Sequence, residues 1–206
     1  REEHGVLKRY SDITQVDMSE GNWLVLSSAN HFLDSVKEVC ELRGWYYQYK
    51  GRNSIPLKLL LALNNWEAWR KDASLNYLEI KNIYEYLGSN VLEGFRKAKT
   101  LHTDQKYLMR DCRAEHGLVT DSVWYEAFEG LDPMTETYIR NMRANGEMIN
   151  KNPRIIMSTI HGAKGGEADK VLLMQDITGA ALETFSHDPD ELHRLFYTGA
   201  TRAKRE

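Results

Sequence analysis

Apolar residues fall in short blocks toward both ends of this chain and at helical spacing through its middle. "NWLVLSS" (22–28) is a compact apolar run bounded by polar residues, the pattern of a buried strand. Asn30 is placed to cap the helix that follows, in which Phe32, Leu33, Val36, Val39, Cys40 and Leu42 recur at helical intervals until Gly44 stops them. "WYYQYKG" predicts a second strand closed by Gly51. Strand, helix and strand in that order are the unit from which parallel sheets are built. Ahead of them, "VLKRYSD" is a candidate edge strand in a polar opening segment.

Pro56 opens another helix, whose apolar face carries Leu59, Leu60, Leu63, Trp66 and Trp69. From about Ser74 to Asn150 the strand signal vanishes. "LEIKNIYEYLG", "DQKYLMRDCR", "VWYEAFEGL" and "TETYIRNMRANGEMI" read as amphipathic helical pieces punctuated by Gly, Asp or Pro. "RIIMSTI" and "KVLLMQD" restore the strand pattern. "DPDELHRLFYTGATRAK" then predicts a helix whose acidic first turn suits the positive end of its dipole. The expected architecture is an α/β core with a parallel sheet, formed by residues 1–73 and 151–206, and residues 74–150 as an inserted all-helical subdomain.

Composition narrows the class. Of the 206 residues, 42% are hydrophobic and 28% charged, ordinary values for a folded globular chain. No apolar run approaches the ~20 residues of a spanning helix, and the opening REEHG is unlike a signal peptide, so a cytoplasmic protein without membrane contact is expected. Cys40 and Cys112 lack metal-type spacing, which predicts reduced structural thiols and no metal site. A net charge of −3 excludes a protein that coats polyanions indiscriminately, so any nucleic-acid contact is local. The concentration of Arg194, Arg202, Lys204 and Arg205 is the visible candidate, and the abrupt ends read as those of a piece of a longer protein.

The stretch "STIHGAKGGEADKVLLMQD" has the look of a phosphate loop and fails the test for one. Such a loop needs G-x-x-x-x-G-K-[ST]; here Lys164 precedes Gly165 and Gly166, and Glu167 stands where the hydroxyl belongs. The loop nevertheless follows a strand, where ligands of open α/β sheets bind. Gly162, Gly165 and Gly166 permit close backbone approach, His161 and Lys164 are phosphate-directed donors, and Glu167 can accept from a ribose hydroxyl. Arg202 in "YTGATRAK" offers a guanidinium fork to a phosphate. Taken singly, each has a plain structural reading: a glycine-rich turn, a surface histidine, a solvated helix face.

In combination and in this order, the two segments resemble motifs of the UvrD, Rep and PcrA type of superfamily-one DNA helicase. "STIHGAKGGEADKVLLM" is similar to the family's fifth motif, T-x-H-x-x-K-G-L-E, and "LHRLFYTGATRAK" to its sixth, R-R-L-x-Y-V-x-x-T-R-A. "WLVLSSANHFLDSVKEVCELRGWYYQYKG" is similar to the family's strand-helix-strand segment around R-S/T-N. The resemblance implies a RecA-like, P-loop NTPase-type second motor domain with helices on both faces of its sheet. It implies that Thr159, His161, Asn30 and Lys164 contact DNA, that Glu167 and Gly165 face ATP, and that Arg202 is the catalytic arginine finger reaching the γ-phosphate on the partner domain. Departures are Gly166 for the usual leucine, Ser28 where an arginine is common, and the absence of the fourth motif, Q-x-Y-R.

Neither a phosphate loop nor a strand ending in D-E-x-Q occurs, and an arginine finger accelerates phosphoryl transfer only on top of those parts. The chain alone is therefore expected not to hydrolyse ATP. Its implied cofactor is ATP with Mg²⁺ in the full-length protein. Its implied partners are single-stranded or partly duplex DNA and the amino-terminal RecA-like domain, in a bacterial or phage setting. The rival readings are a non-catalytic DNA- or protein-binding remnant and the helicase part of a nuclease-helicase.

Overall fold

The computed structural model describes residues 6–88, 91–93, 101–147, 152–163 and 165–204. Along the chain, β1 (Trp23–Ser27) leads through a 3₁₀ turn, Asn30–Leu33, into α1 (Asp34–Arg43) and the hairpin of β2 (Tyr47–Tyr49) and β3 (Arg52–Asn53). Next come α2 (Leu57–Trp69), β4 (Leu75–Asn76), α3 (Tyr77–Tyr84), β5 (Lys106–Tyr107), α4 (Met109–Glu115) and the single turn α5 (Trp124–Ala127). The chain then forms α6 (Pro133–Ala144), β6 (Ile155–Thr159), β7 (Lys170–Leu173), α7 (Gly179–His187) and α8 (Pro189–Ala200).

These elements group into two compact units, residues 1–54 with 138–206 and residues 55–137. The sequence pattern set the divisions at 73/74 and 150/151; the contacts set them at 54/55 and 137/138, so α2 groups with the middle of the chain.

The first unit is a five-stranded sheet in the order β3-β2-β6-β1-β7, with helices on both sides. β2, β6, β1 and β7 are parallel, and β3 adds an antiparallel edge. The β1-α1-β2 crossover therefore skips one position, which β6 fills much later in the chain. Leu24 and Leu26 of β1 pack with Ile160 and Ala163, and Leu195 and Phe196 of α8 close over them. α1 ends as its sequence predicts: Gly44 takes φ +69 and its N–H returns to the Cys40 and Glu41 carbonyls. Its remaining terminal carbonyls are also satisfied, Leu42 by Asn141 Nδ2 at 3.0 Å and Arg43 by Asn145 Nδ2. Glu147 pairs with Arg154, which also donates to the Met18 carbonyl, so the start of β6 is tied to the opening segment.

Several local expectations need correction. "VLKRYSD" is not an edge strand: residues 6–10 have no regular structure, and the first element is a 3₁₀ turn at Ile13–Gln15. Asn30 is not a cap; the extended residue before the turn is Ala29, with no side-chain cap bond. The strand expected over "WYYQYKG" is the first arm of a hairpin, β2–β3. Its two-residue loop, Lys50 and Gly51, has both φ positive, +51 and +74, the type I′ geometry that matches strand twist.

The second unit is mostly helical but includes the antiparallel ribbon β4–β5. Its aromatic residues build a core. Trp66 and Trp69 are fully buried, and their indole N–H groups donate to the Ser122 and Tyr107 carbonyls at 3.0 Å. α3 starts with a reciprocal cap between Asn76 and Glu79.

Candidate nucleotide- and DNA-facing site

The strand order places the carboxyl ends of β2, β6 and β1 side by side. In register, Ser27 lies beside Thr159, and Tyr49 beside Met157. The β6–β7 loop begins at this edge, anchored by the Ile160 N–H to the Ser27 carbonyl at 2.9 Å and by burial of Ile160 and Ala163. Its first residues coil into one tight turn. Ala163 N–H donates to the Thr159 carbonyl at 3.0 Å, Gly162 N–H to the Thr159 Oγ1 at 3.1 Å, and Gly166 N–H to the Ala163 carbonyl at 2.8 Å. Thr159 thus organises the loop as an acceptor, and that bond leaves its own hydroxyl proton available to an incoming oxygen.

The glycines act in different ways. A Cβ at Gly162 would lie 2.8 Å from the Ser158 hydroxyl and 3.0 Å from that of Thr159, so a side chain there would have to displace these hydroxyls. Gly165 has φ +85 and open space around it, as a loop meant to approach a ligand requires. At Gly166, where the resembled family carries leucine, the Cβ direction meets the Ala163 carbonyl at 3.2 Å and Leu24 at 3.9 Å. Ile160 and Ala163, both buried, anchor the loop in the core.

α8 brings the second motif to the same loop. Buried Gly199 faces Leu173 and Ile160; a Cβ there would approach Leu173 Cδ1 to 2.9 Å. Just beyond the helix, Ala168 N–H donates to the Arg202 carbonyl at 3.2 Å and Lys204 N–H to the Ala168 carbonyl at 2.9 Å, a short parallel bridge. Half-buried Arg202 makes no side-chain hydrogen bond or ion pair with another described residue. Arg194 donates from Nε to the Asp190 carbonyl at 3.1 Å and lies 3.5 Å from Asp188. Tyr197, 72% exposed, is not a core residue.

The predicted site residues divide between two clefts in this unit. Arg202 and His161 line one of about 600 Å³, together with Ser28, Arg194 and Thr198. Thr159, Asn30 and Glu167 line another of about 810 Å³, with Lys50 and Lys204. Glu167 and Lys204 form an exposed ion pair at 3.5 Å, and such pairs contribute little to stability. Glu167 and Arg202 are therefore neighbours through one backbone hydrogen bond at Ala168, while their side chains open into different clefts. Lys164 lies outside the described residues, as does Arg205.

A larger cleft of about 860 Å³ is lined by Trp45 and Tyr46, just before β2, and by Glu147; it shares Asn22, Pro153 and Arg154, which precede β1 and β6, with the 810 Å³ cleft. It is at the amino ends of the strands, whereas open parallel sheets bind ligands at the carboxyl ends. Lys50 is the contributor that sequence reasoning missed. Its signal was the lysine-glycine pair closing "WYYQYKG", read only as the end of a strand. Among the described residues no group of three His, Cys, Asp or Glu side chains could hold a metal ion, and no helix is long and apolar enough to cross a membrane.

A mostly parallel sheet sandwiched by helices, with loop chemistry at its carboxyl edge, places this chain in the α/β class in the manner of a RecA-like domain. Residues 124–206 match the family described as the UvrD-like helicase C-terminal domain, and that match supports a helicase motor domain at family level. The matched range contains both motif segments, Thr159–Glu167 and Arg194–Lys204, and stops short of β1–β3. No curated protein and no solved structure matches the chain.

Proposed function

We propose that this chain is the second motor domain of an ATP-dependent DNA helicase or translocase, contributing a DNA-contacting loop and an arginine finger to a site completed by another domain. The observation carrying the proposal is the joint between the two motif segments, where Ala168, directly after Glu167, exchanges backbone hydrogen bonds with Arg202 and Lys204. A displacement of Arg202 is transmitted to the loop that starts at Thr159 by two hydrogen bonds and the packing of Gly199 on Ile160.

ATP with Mg²⁺, when bound between two such domains, supplies the γ-phosphoryl group whose transfer to water drives the cycle. The residue of this chain that fits it is Arg202, a guanidinium with no described anionic partner; Glu167, exposed at the loop's end, opens into the neighbouring cleft and would reach the ribose from that side. Arg202 gains an anion only in the closed arrangement, a differential contact that favours closure. Thr159 and His161, at the head of the same loop, donate to the phosphates of a single strand and shift with it. Asn30 lines the cleft beside Thr159 and extends the contact toward β1.

The decisive experiment uses the polypeptide that joins this domain to a phosphate-loop motor domain. There, Arg202→Ala should lower DNA-stimulated ATP turnover by roughly 10³-fold or more while changing DNA affinity less than about twofold. Turnover within tenfold of the unaltered protein would refute the assignment. A second reading, a nucleic-acid- or protein-binding remnant without turnover, draws on the separation of Glu167 and Arg202 into two clefts. It predicts that the unaltered polypeptide binds an oligonucleotide and fails to hydrolyse ATP.

A further inference from the structure

The tip of the β2–β3 hairpin carries a conformational oddity. Type I′ loops favour Asn, Asp or Gly at the first position because φ is positive there. This loop has Lys50 at φ +51, the costly left-handed region for a long side chain. A residue kept in such a conformation suggests that its side chain is needed at that place. Exposed Lys50 lines the same cleft as Asn30, Thr159 and Gly162.

A second cation stands beside it. The Lys37 ammonium lies 4.4 Å from the centre of the Tyr49 ring and the Lys50 ammonium 5.2 Å from it. The ring is thus a post against which both cations rest. Lys37 shares its charge with Asp34, which holds that carboxyl below its usual range; Lys50 makes no ion pair with another described residue. Tyr49 pairs in register with Met157, two residues before Thr159, so the post stands at the same sheet edge as the loop. In a chain of net charge −3, the Lys50 ammonium in this cleft, with Lys37 and its partner Asp34 beside the same ring, is a local cation suited to a polyanion.

We propose that the β2–β3 hairpin is a second wall of the nucleic-acid track, with Lys50 and Lys37 contacting backbone phosphates of a single strand whose adjacent phosphates meet Thr159 and His161. The inference rests on the DNA reading of the β6–β7 loop given above and adds to it a wall outside the family-matched range. Because the contacts are to phosphates, they carry charge without base preference.

The test measures binding of this chain to a fluorescein-labelled oligothymidylate by anisotropy over a series of salt concentrations. Lys50→Gly removes the charge while suiting the turn, so its thermal midpoint should not fall. The logarithmic salt slope should drop by about 0.7 for the lost contact, with weaker binding at low salt. Lys50→Arg should restore both, and Lys37→Gln should add a second drop of about 0.7. Unchanged affinity and slope in Lys50→Gly, with His161→Ala weakened, would overturn the hairpin wall and leave the loop reading standing. Absence of salt-dependent binding by the unaltered chain, or His161→Ala binding as the unaltered chain does, would overturn the loop reading and the wall with it.

Discussion

Two glycines of nearly identical backbone geometry separate the cost of conformation from the cost of space. Gly44 has φ +69 and Gly146 has φ +67. An alanine at either position must adopt the left-handed region, at about 1 kcal/mol. Around Gly146 nothing lies within 4 Å of the added Cβ. At Gly44 the same atom would sit 2.4 Å from the Asn141 carbonyl carbon and 2.6 Å from the Met142 nitrogen. Both are main-chain atoms of α6, whose Asn141 side chain, with that of Asn145 just beyond the helix, bonds the last carbonyls of α1, so the helix cannot retreat without breaking those bonds. Overpacking of this kind adds about 1–3 kcal/mol. Gly44→Ala should therefore cost about 2–4 kcal/mol and Gly146→Ala about 1 kcal/mol. With a urea slope of about 2 kcal/mol/M, the midpoints fall by about 1–2 M and about 0.5 M. Parallel urea titrations followed by far-ultraviolet circular dichroism would decide it. Midpoints within about 0.3 M of each other at equal slope would show that the α1–α6 contact does not discriminate, refuting the packing argument.

Two further outcomes follow from burial. Burial pushes the Cys40 thiol up to about 12 and the Cys112 thiol up to about 11. Both are raised above the unfolded value near 9, so this stabilisation is complete below about pH 9 and is lost as pH climbs through the folded values. The native chain should leave both thiols unreacted with an aromatic disulfide reagent at pH 8, and its urea midpoint should decline above pH 9; rapid native labelling would contradict this. Gly199→Leu forces a branched side chain onto Leu173 and Ile160 and should cost about 1–3 kcal/mol, whereas Leu at exposed Ala200 should change stability by less than about 0.5 kcal/mol. Equal urea midpoints for the two variants would show that α8 is not seated through Gly199.

The strands β1, β6 and β7 were legible because each is a short apolar run with polar ends, and Gly44 because a helical period stops at it. Strands of two residues, β3, β4 and β5, carry too little pattern to be read. Their existence depends on a partner elsewhere in the chain. The type I′ turn escaped notice because lysine is not a turn signal at its first position. Sheet order was invisible for a different reason: β6 enters between β2 and β1 through pairings across the inserted unit, and no local period records that. At the site, residue types brought His161, Glu167 and Arg202 forward, and the resemblance of the two motif segments added Thr159. Their division into two clefts depends on how the loop coils around the Thr159 hydroxyl and Gly162, a tertiary fact that spacing does not encode.

Because β6 fills the gap between β2 and β1, the opening third of the chain cannot assemble its sheet when first synthesised. Trp23 and Tyr47 both wait for Ile155, which emerges only after the inserted unit has been made. Such non-local pairing slows folding and leaves two strand edges open in the interval. The unit at residues 55–137, rich in neighbouring helical contacts, is complete by then. Its growth order makes the central strand a keystone, and a nascent chain stalled before Ile155 should be the species most prone to aggregate.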